Sequence, residues 1–307
     1  MKYLLSVMVV ILISGCIGNS GVKIICDESF EYPLSNIENT GIKINENIAQ
    51  SFNCISSVKD QDIIIVSDYN LITLLYPKKA SYYIEFARDS IVIAYSKEID
   101  KKWYEMKDAK IGIMNPNTSA CGYQSLMVLK LAEIYYGDNS ILDNFICKNT
   151  KIKDGETINI PETLGANENV LVETSFSELI NDLNKVDFIF IYKSMAKREN
   201  LKYIELPPQI NLGETEYRNM YRQAVVRLFS NTLISGNPVI YGFSILSTDP
   251  EAIKFADFIL NTKGKKLLED SGLIPLNPAL TDNIENVPYA LKDYLEEDKS
   301  QTNLKPV

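Results

Sequence analysis

The sequence contains no histidine and fewer basic than acidic residues. Without histidine, the Ser-His-Asp and Cys-His catalytic arrangements and the commonest zinc ligand are excluded. The 31 Lys and Arg residues against 40 Asp and Glu residues give a net charge of −9, which disfavours nucleic acid as a partner. A small anion remains compatible with this charge, because backbone N–H groups and hydroxyls can bind one locally. Since no paired-carboxylate spacing is present either, we predict a binding protein without metal or cofactor, and not an enzyme.

A hydrophobic run of membrane-spanning length is also missing. Lys2 precedes an apolar stretch over residues 4–13, which is shorter than the about 20 residues that a spanning helix needs. The four residues that end at Cys16, Ile-Ser-Gly-Cys, are typical of a lipobox. We therefore predict a signal peptide over residues 1–15, lipidation of Cys16 and a tether over residues 16–21, with the protein outside the cell membrane. An uncleaved N-terminal anchor is the alternative, and it places the chain on the same side.

Short apolar runs alternate with helical patterns along the chain. Four runs predict buried strands, over residues 62–66, 90–95, 111–114 and 188–192. Helices are predicted over about residues 122–136, where Gly137 provides the stop, and over residues 250–260 and 263–270. This alternation predicts an α/β fold with largely parallel sheets.

Three predicted strand-end loops carry hydroxyl groups. Ser51 follows Gln50 in the first, Ser67 begins the second, and residues 115–119 form the third. In open α/β sheets, ligands bind at the carboxyl ends of the strands. Each loop taken alone is compatible with simple helix capping. Three such loops together favour a shared ligand site.

Seven short stretches occur in the order in which one family of binding proteins has them. They are Phe86-Ala87-Arg88 before the 91–95 run, Trp103-Tyr104-Glu105, Asn115-Pro116-Asn117 with Cys121-Gly122-Tyr123, and the stretches over residues 132–136, 190–194, 203–208 and 238–242. From about residue 47 to 295, the chain thereby resembles the archaeal tungstate/molybdate-binding proteins, which are substrate-binding components of an ABC importer.

The resemblance implies a periplasmic-binding-protein-like fold with two α/β lobes and a ligand cleft between them. Lobe 1 is expected over residues 22–105 and 207–307, and lobe 2 over residues 106–206. The implied ligand is an oxyanion, and the implied partner is an ABC permease at the cell membrane. A monomer is sufficient for this role.

The resemblance also places ligand-binding residues on both lobes. They are Ser51, Ser67, Thr118, Ser119, Cys121, Gly122 and Tyr192. For Tyr192 the alternative is packing in the core, and for Ser51 and Ser119 it is helix capping.

Four cysteines remain after Cys16, and spacing alone does not choose among their three possible pairings. The resemblance implies a disulfide between Cys54 and Cys121, because both positions lie close to the pocket in the family. It leaves Cys26 and Cys147 unassigned.

Two acidic positions of the family pattern are changed in this chain. A Thr-Ser-Ala run that begins at Thr118 stands where the family has Asp-Asp-Pro, and Phe176 stands where the family has Glu. In the family, one carboxylate from each place reaches the metal centre of the oxyanion. Hydroxyls donate hydrogen bonds to oxyanion oxygens instead, so we expect a tetrahedral oxyanion held by donors alone. A local shift in register would place Glu178 or Glu173 where Phe176 is expected.

Molybdate or tungstate is the expected ligand of such a site. Another anion such as sulfate is an alternative, because the acidic pair is replaced. A sensor paralogue that presents the two-lobe fold to a membrane receptor is a second alternative.

Overall fold

The computed structural model describes residues 21–99 and 102–299. The strands are β1 (Val22–Asp27), β2 (Ile44–Ala49), β3 (Ile63–Val66), β4 (Ile84–Arg88), β5 (Ile91–Tyr95), β6 (Ile111–Met114), β7 (Ile158–Asn159), β8 (Val170–Glu173), β9 (Phe188–Tyr192), β10 (Lys202–Glu205), β11 (Val225–Arg227), β12 (Leu233–Ser235), β13 (Ile240–Ile245), β14 (Ile274–Thr281) and β15 (Leu295–Glu297). The α-helices are α1 (Glu31–Glu38), α2 (Ser51–Ser57), α3 (Ala120–Tyr136), α4 (Ile141–Phe145), α5 (Phe176–Asn181), α6 (Lys193–Arg198), α7 (Arg218–Tyr221), α8 (Pro250–Leu260) and α9 (Thr262–Asp270). Short 3-10 helices cover Glu28–Phe30, Tyr69–Leu75, Trp103–Glu105, Cys147–Asn149, Leu183–Lys185, Thr215–Tyr217, Ile284–Asn286 and Tyr289–Tyr294.

The predicted strands and helices are found within two residues of their expected bounds. Helix α3 ends at Gly137, whose left-handed φ of 70° lets its N–H reach the Glu133 carbonyl oxygen. Helix α8 begins with Pro250 at its first position, and Asp249 caps it. Within residues 21–99 and 102–299, no helix is both long and apolar enough to cross a membrane. The predicted signal peptide, Cys16 and nearly all of the tether lie outside the described residues.

Two sheets form the walls of the cleft. The seven-stranded sheet has the order β15-β14-β4-β13-β3-β1-β2, and the five-stranded sheet has the order β10-β5-β9-β6-β8. Strand β1 lies between β2 and β3 and is parallel to both, so the carboxyl ends of these three strands meet at one edge. Strand β6 is parallel to β8 and β9 in the same way. The two edges supply the residues of the candidate site.

The chain crosses between the two sheets near Asp89, because β4 belongs to the seven-stranded sheet and β5 to the five-stranded sheet. The second crossing lies between β10 and β13. Strands β11 and β12 of that segment form a small sheet with β7. The lobe boundaries given above stay a prediction, and the strand pairing favours a first boundary near Asp89 instead of residue 105.

The apolar core continues from one lobe to the other. One face of the seven-stranded sheet packs on α1, α8 and α9 through buried residues such as Leu34, Phe255 and Leu268. The opposite face presents Ile25 and Val66 to the same core that contains the five-stranded sheet. Burial of this shared apolar surface stabilises the closed arrangement of the lobes.

The described cysteines are all free thiols. The disulfide predicted between Cys54 and Cys121 is therefore not formed in this structure. The Cys54 thiol instead donates to the Ala49 carbonyl oxygen at 3.6 Å. Burial raises the pKa of both Cys54 and Cys121, which favours the protonated thiol over the thiolate.

Candidate functional site: the cleft between the lobes

Three strand ends of lobe 1 place a carboxyl group and two hydroxyl groups together. Strand β1 ends at Asp27, helix α2 begins at Ser51 just after β2, and Ser67 follows β3 directly. All three side chains are almost completely buried. Their proximity follows from the parallel pairing of β1 with both neighbours, which brings the carboxyl ends to one edge.

The Asp27 carboxylate lies at the centre of this group. Its Oδ2 accepts hydrogen bonds from the hydroxyls of Ser51 and Ser67, the latter at 3.1 Å. Its Oδ1 accepts from the backbone N–H of Ser29 at 2.9 Å and from the Ser29 hydroxyl. Three serines thus satisfy a buried anion with neutral donors. Hydroxyl and N–H donors of this kind are also the ones that suit oxyanion oxygens.

Lobe 2 reaches the same serines from the opposite wall. The N–H of Ala120, at the first turn of α3, donates to Ser51 Oγ at 3.0 Å. The Tyr192 hydroxyl, at the end of β9, lies 3.1 Å from Ser67 Oγ and 2.8 Å from Gln124 Oε1. Because the two serines contact both Asp27 and lobe 2, they join the two walls of the cleft.

A second carboxylate of lobe 1, Glu28, also crosses the cleft. It accepts from the N–H of Phe176 at 2.9 Å and from the side-chain amide of Gln50. Burial raises the pKa of Glu28, and the hydrogen bond from Phe176 partly offsets this rise. Lobe 1 therefore supplies negative charge to the backbone donors of lobe 2.

A third contact between the lobes joins Asp68 and Tyr123. The Tyr123 hydroxyl donates to Asp68 Oδ2 at 2.7 Å, and Asn70 donates to Oδ1. Burial raises the pKa of Asp68, while these hydrogen bonds act in the opposite direction. Asp68, the residue after Ser67, therefore helps to join the two lobes through its side chain.

Phe176 lies at the start of α5, next to Glu28 of lobe 1 and Tyr192 of lobe 2. Its side chain is buried, and its ring lies 5.9 Å from the ring of Tyr192, centroid to centroid. Glu178, one of the two acids that a register shift would bring in, is exposed and accepts from Thr174. The buried aromatic side chain brings apolar surface and no charge to this part of the cleft.

The structure brings three of the predicted site residues, Ser51, Ser67 and Tyr192, together around Asp27. Thr118 contributes its carbonyl oxygen, which accepts from the N–H of Phe52 at 3.0 Å. Ser119 is the buried N-cap of α3, although its side chain makes no capping hydrogen bond.

Cys121 and Gly122 lie in the first turn of α3. The packing around each residue explains why that residue type is present. Cys121 is completely buried in the core. A Cβ on Gly122 would lie 2.4 Å from the Met114 carbonyl oxygen, so only glycine lets α3 approach the end of β6 this closely.

Asp27, Glu28, Ser29 and Gln124 are the site residues that sequence reasoning missed. The first three directly follow residues 22–26, which are apolar except for Lys23, and this is the pattern of polar residues after a strand that identified the other loops. That signal was available, but the run adjoins the predicted tether and was not recognised as a central strand. Over the described residues, no cluster of three or more Cys, Asp and Glu side chains is arranged to hold a metal ion.

The profile of the bacterial extracellular solute-binding protein family matches residues 37–274. This chain belongs to that family. An uncharacterised solute-binding protein of Staphylothermus marinus is 34% identical over 82% of this chain and 83% of its own length. The molybdate/tungstate-binding protein WtpA of Pyrococcus abyssi is 32% identical over 95% of this chain and 97% of its own length. The solved periplasmic molybdate-binding protein of Azotobacter vinelandii superposes with a TM-score of 0.57 at 14% identity, over 82% of this chain and 98% of that one.

These similarities confirm the predicted resemblance to the molybdate/tungstate-binding proteins and the two-lobe α/β fold. Within that fold the sheets are mixed, with antiparallel pairs next to the parallel strands that form the site. Family membership places the protein outside the cytoplasm and indicates binding of a solute as its activity.

Proposed function

We propose that this protein captures a tetrahedral oxyanion in the cleft between its lobes and delivers it to an ABC permease. The observation that carries the proposal is that Ser51 and Ser67 already hold an anionic group, the Asp27 carboxylate, with the first N–H of α3 behind Ser51. Hydroxyls and helix-end N–H groups are the donors that suit oxyanion oxygens. The same donors are suited to a free oxyanion.

Molybdate or tungstate is the oxyanion that the comparisons favour. A relative that aligns with 95% of this chain has molybdate/tungstate-binding in its name. Sulfate has the same tetrahedral shape and charge, so it is the competing ligand. We propose that the ligand is held without carboxylate bonds from lobe 2, since Thr118 and Phe176 replace the acids there.

Attachment through lipid on Cys16 completes the proposal. A tethered binding protein has a raised effective concentration near a membrane permease. One copy is sufficient to bring one ligand, so we propose that the protein acts as a monomer.

A thermal-shift panel tests the proposal. Purified protein is heated with molybdate, tungstate, sulfate, phosphate or chloride, at matched ionic strength. A ligand that binds only the folded state raises the melting temperature, by an amount that grows with concentration above the dissociation constant. We expect a rise with molybdate or tungstate and none with chloride. If none of the oxyanions raises the melting temperature, the protein is not an oxyanion carrier, and the receptor-interacting sensor becomes the better interpretation.

X-ray absorption at the tungsten edge tests how the ligand is held. We expect four oxygen neighbours around the bound metal, because the lobe 2 acids are absent. Six-coordinate tungsten would contradict the substitution argument for Thr118 and Phe176.

A further inference from the structure

We propose that Asp27 is a built-in anion that occupies the oxyanion position, helps to hold the ligand-free lobes closed, and competes with the incoming ligand. The competition part of this inference rests on the proposed function, while the closure part does not. The hydroxyls and backbone N–H groups of the site attract an anion. Asp27 determines how strongly an added anion is bound.

The direction of the hydrogen bonds at Ser51 is the first step of the argument. A serine hydroxyl has a single hydrogen, and Ser51 gives it to Asp27. The oxygen of Ser51 then has only lone pairs to offer to the other wall, and it accepts the Ala120 N–H at 3.0 Å. Because Asp27 takes the only hydroxyl hydrogen of Ser51, the Ser51 oxygen is left to accept a hydrogen bond from lobe 2.

Ser67 bonds the same oxygen of Asp27 and also contacts lobe 2. It donates to Asp27 Oδ2 at 3.1 Å, and its oxygen lies 3.1 Å from the Tyr192 hydroxyl, whose single hydrogen can go either to Ser67 Oγ or to Gln124 Oε1 at 2.8 Å. Helix α3 is 17 residues long, and the positive end of its dipole faces Ser51 and the carboxylate behind it. Removing the charge of Asp27 would weaken both links between the lobes.

Competition follows from the shared donors. A tetrahedral oxyanion needs the hydroxyl hydrogens of Ser51 and Ser67, and both are already given to Asp27. A carboxylate and a dianion in one buried site repel each other strongly. The carboxylate has to leave the serines before the oxyanion binds, and this cost reduces the apparent affinity.

The test combines calorimetry with small-angle X-ray scattering on the full chain. Asp27→Asn keeps the size of the side chain and removes its charge, and Asp27→Ser is a second variant in case the first does not fold. Asp62→Asn is the matched control, because Asp62 is also largely buried at a strand end of the same sheet but accepts from the Lys23 N–H, at the end of β1 opposite to Asp27. Sodium tungstate and sodium molybdate are the titrants.

We expect Asp27→Asn to bind tungstate at least about tenfold more tightly than the wild type, since like charges in one site cost several kcal/mol. We also expect a larger radius of gyration for the ligand-free variant than for the ligand-free wild type. Asp62→Asn should match the wild type in both measurements. Weaker tungstate binding by the Asp27 variants would overturn the inference, because Asp27 would then be a ligand of the metal centre.

Unchanged affinity together with an unchanged radius of gyration would also overturn it. If no protein in the series binds an oxyanion, the proposed function fails, and the scattering then decides the closure part alone. A more open ligand-free Asp27 variant upholds that part, and an equally compact one refutes it.

Discussion

The two walls of the cleft differ in the kind of group that each contributes. The lobe 1 wall presents carboxylates and hydroxyls at strand ends, with Asp27 at their centre and Glu28 beside it. The lobe 2 wall presents neutral donors, mainly the first N–H groups of α3 and α5 and the Tyr192 hydroxyl. The backbone donors of lobe 2 reach a carboxylate of lobe 1 at Glu28 and a hydroxyl oxygen of lobe 1 at Ser51, so these bonds form only when the cleft is closed.

This division reverses the pattern that the family resemblance implies. There the acids are expected on lobe 2, where this chain has Thr118 and Phe176, and here the acids lie on lobe 1. An acid on lobe 2 would contact the metal centre of the ligand, whereas Asp27 contacts the hydroxyls that would hold the ligand's oxygens. An acid on lobe 2 would therefore coordinate the metal centre of the ligand, whereas an acid at the position of Asp27 would compete with the ligand for the hydroxyls.

The largest effect should come from removing the hydroxyls of lobe 1. The double variant Ser51→Ala, Ser67→Ala loses two donors, each of which contributes about 1.5–3 kcal/mol when it bonds a charged group. We expect tungstate affinity to fall by about 100-fold or more in calorimetry, at about 1.4 kcal/mol for each factor of ten. Ser56→Ala is the control, since Ser56 lies on α2 but is exposed. If the double variant binds tungstate with nearly normal affinity, the two serines have structural roles only and do not bind the ligand.

The position of α3 should matter next, because it sets the donor of lobe 2. Gly122→Ala places a methyl group against the Met114 carbonyl oxygen and forces the helix away from β6. Overpacking of this kind costs about 1–3 kcal/mol, so we expect a lower melting temperature and weaker oxyanion binding. Gly155→Ala, in a loop where a Cβ meets only atoms at 3.7 Å or more, is the control. A Gly122→Ala protein of unchanged stability and affinity would show that α3 need not lie this close.

A smaller loss of affinity should follow when the Tyr192 hydroxyl of lobe 2 is removed. Tyr192→Phe keeps the ring packing on Phe176 but removes the group next to Ser67. One neutral hydrogen bond contributes about 0.5–1.5 kcal/mol, so we expect a loss of affinity of several-fold at most. Tyr95→Phe, a half-buried tyrosine in β5, should bind tungstate normally. A hundredfold loss in Tyr192→Phe would instead make the tyrosine a principal ligand contact.

The smallest effect on binding should come from Asp89, which lies at the crossing between the lobes and belongs to neither wall. Burial raises the pKa of Asp89 to about 6, against partial compensation by hydrogen bonds from Ser194 and Ser90. A carboxyl with a raised folded-state pKa adds stability at low pH, and this contribution is lost as the pH rises through about 6.

We therefore expect the melting temperature of wild type, relative to Asp89→Asn, to fall as the pH rises from 4 to 7. Differential scanning fluorimetry across this range checks the trend, with the exposed Asp270→Asn as control. Tungstate affinity at pH 7 should stay close to that of the wild type. A pH-independent difference would contradict the assignment of the raised pKa to Asp89.

Local sequence patterns were sufficient for four of the strands, three of the helices and part of the site. The apolar runs located β3, β5, β6 and β9, and Gly137 located the end of α3, because these signals depend on residues close in the chain. Ser51 and Ser67 were found because each follows a strand. Asp27 follows a strand in the same way, but its position between the two serines depends on β1 pairing with both β2 and β3, which is a non-local fact.

The pairing of cysteines and the first crossing point are non-local in the same sense. Cys54 and Cys121 lie near the cleft, but the hydrogen bond from Cys54 to Ala49 is visible only in three dimensions. Likewise, only strand pairing shows that β5 joins the sheet of lobe 2. Physical proximity of distant segments therefore limits what one sequence can predict here.

The most direct test of this account is an anomalous difference map, measured at the tungsten edge, from crystals grown with tungstate. We predict one strong peak in the cleft, with oxygens in hydrogen-bond reach of Ser51 Oγ and Ser67 Oγ, and the Asp27 carboxylate turned away from both serines. A peak elsewhere, or an empty cleft in which Asp27 still binds the serines at saturating tungstate, would contradict it.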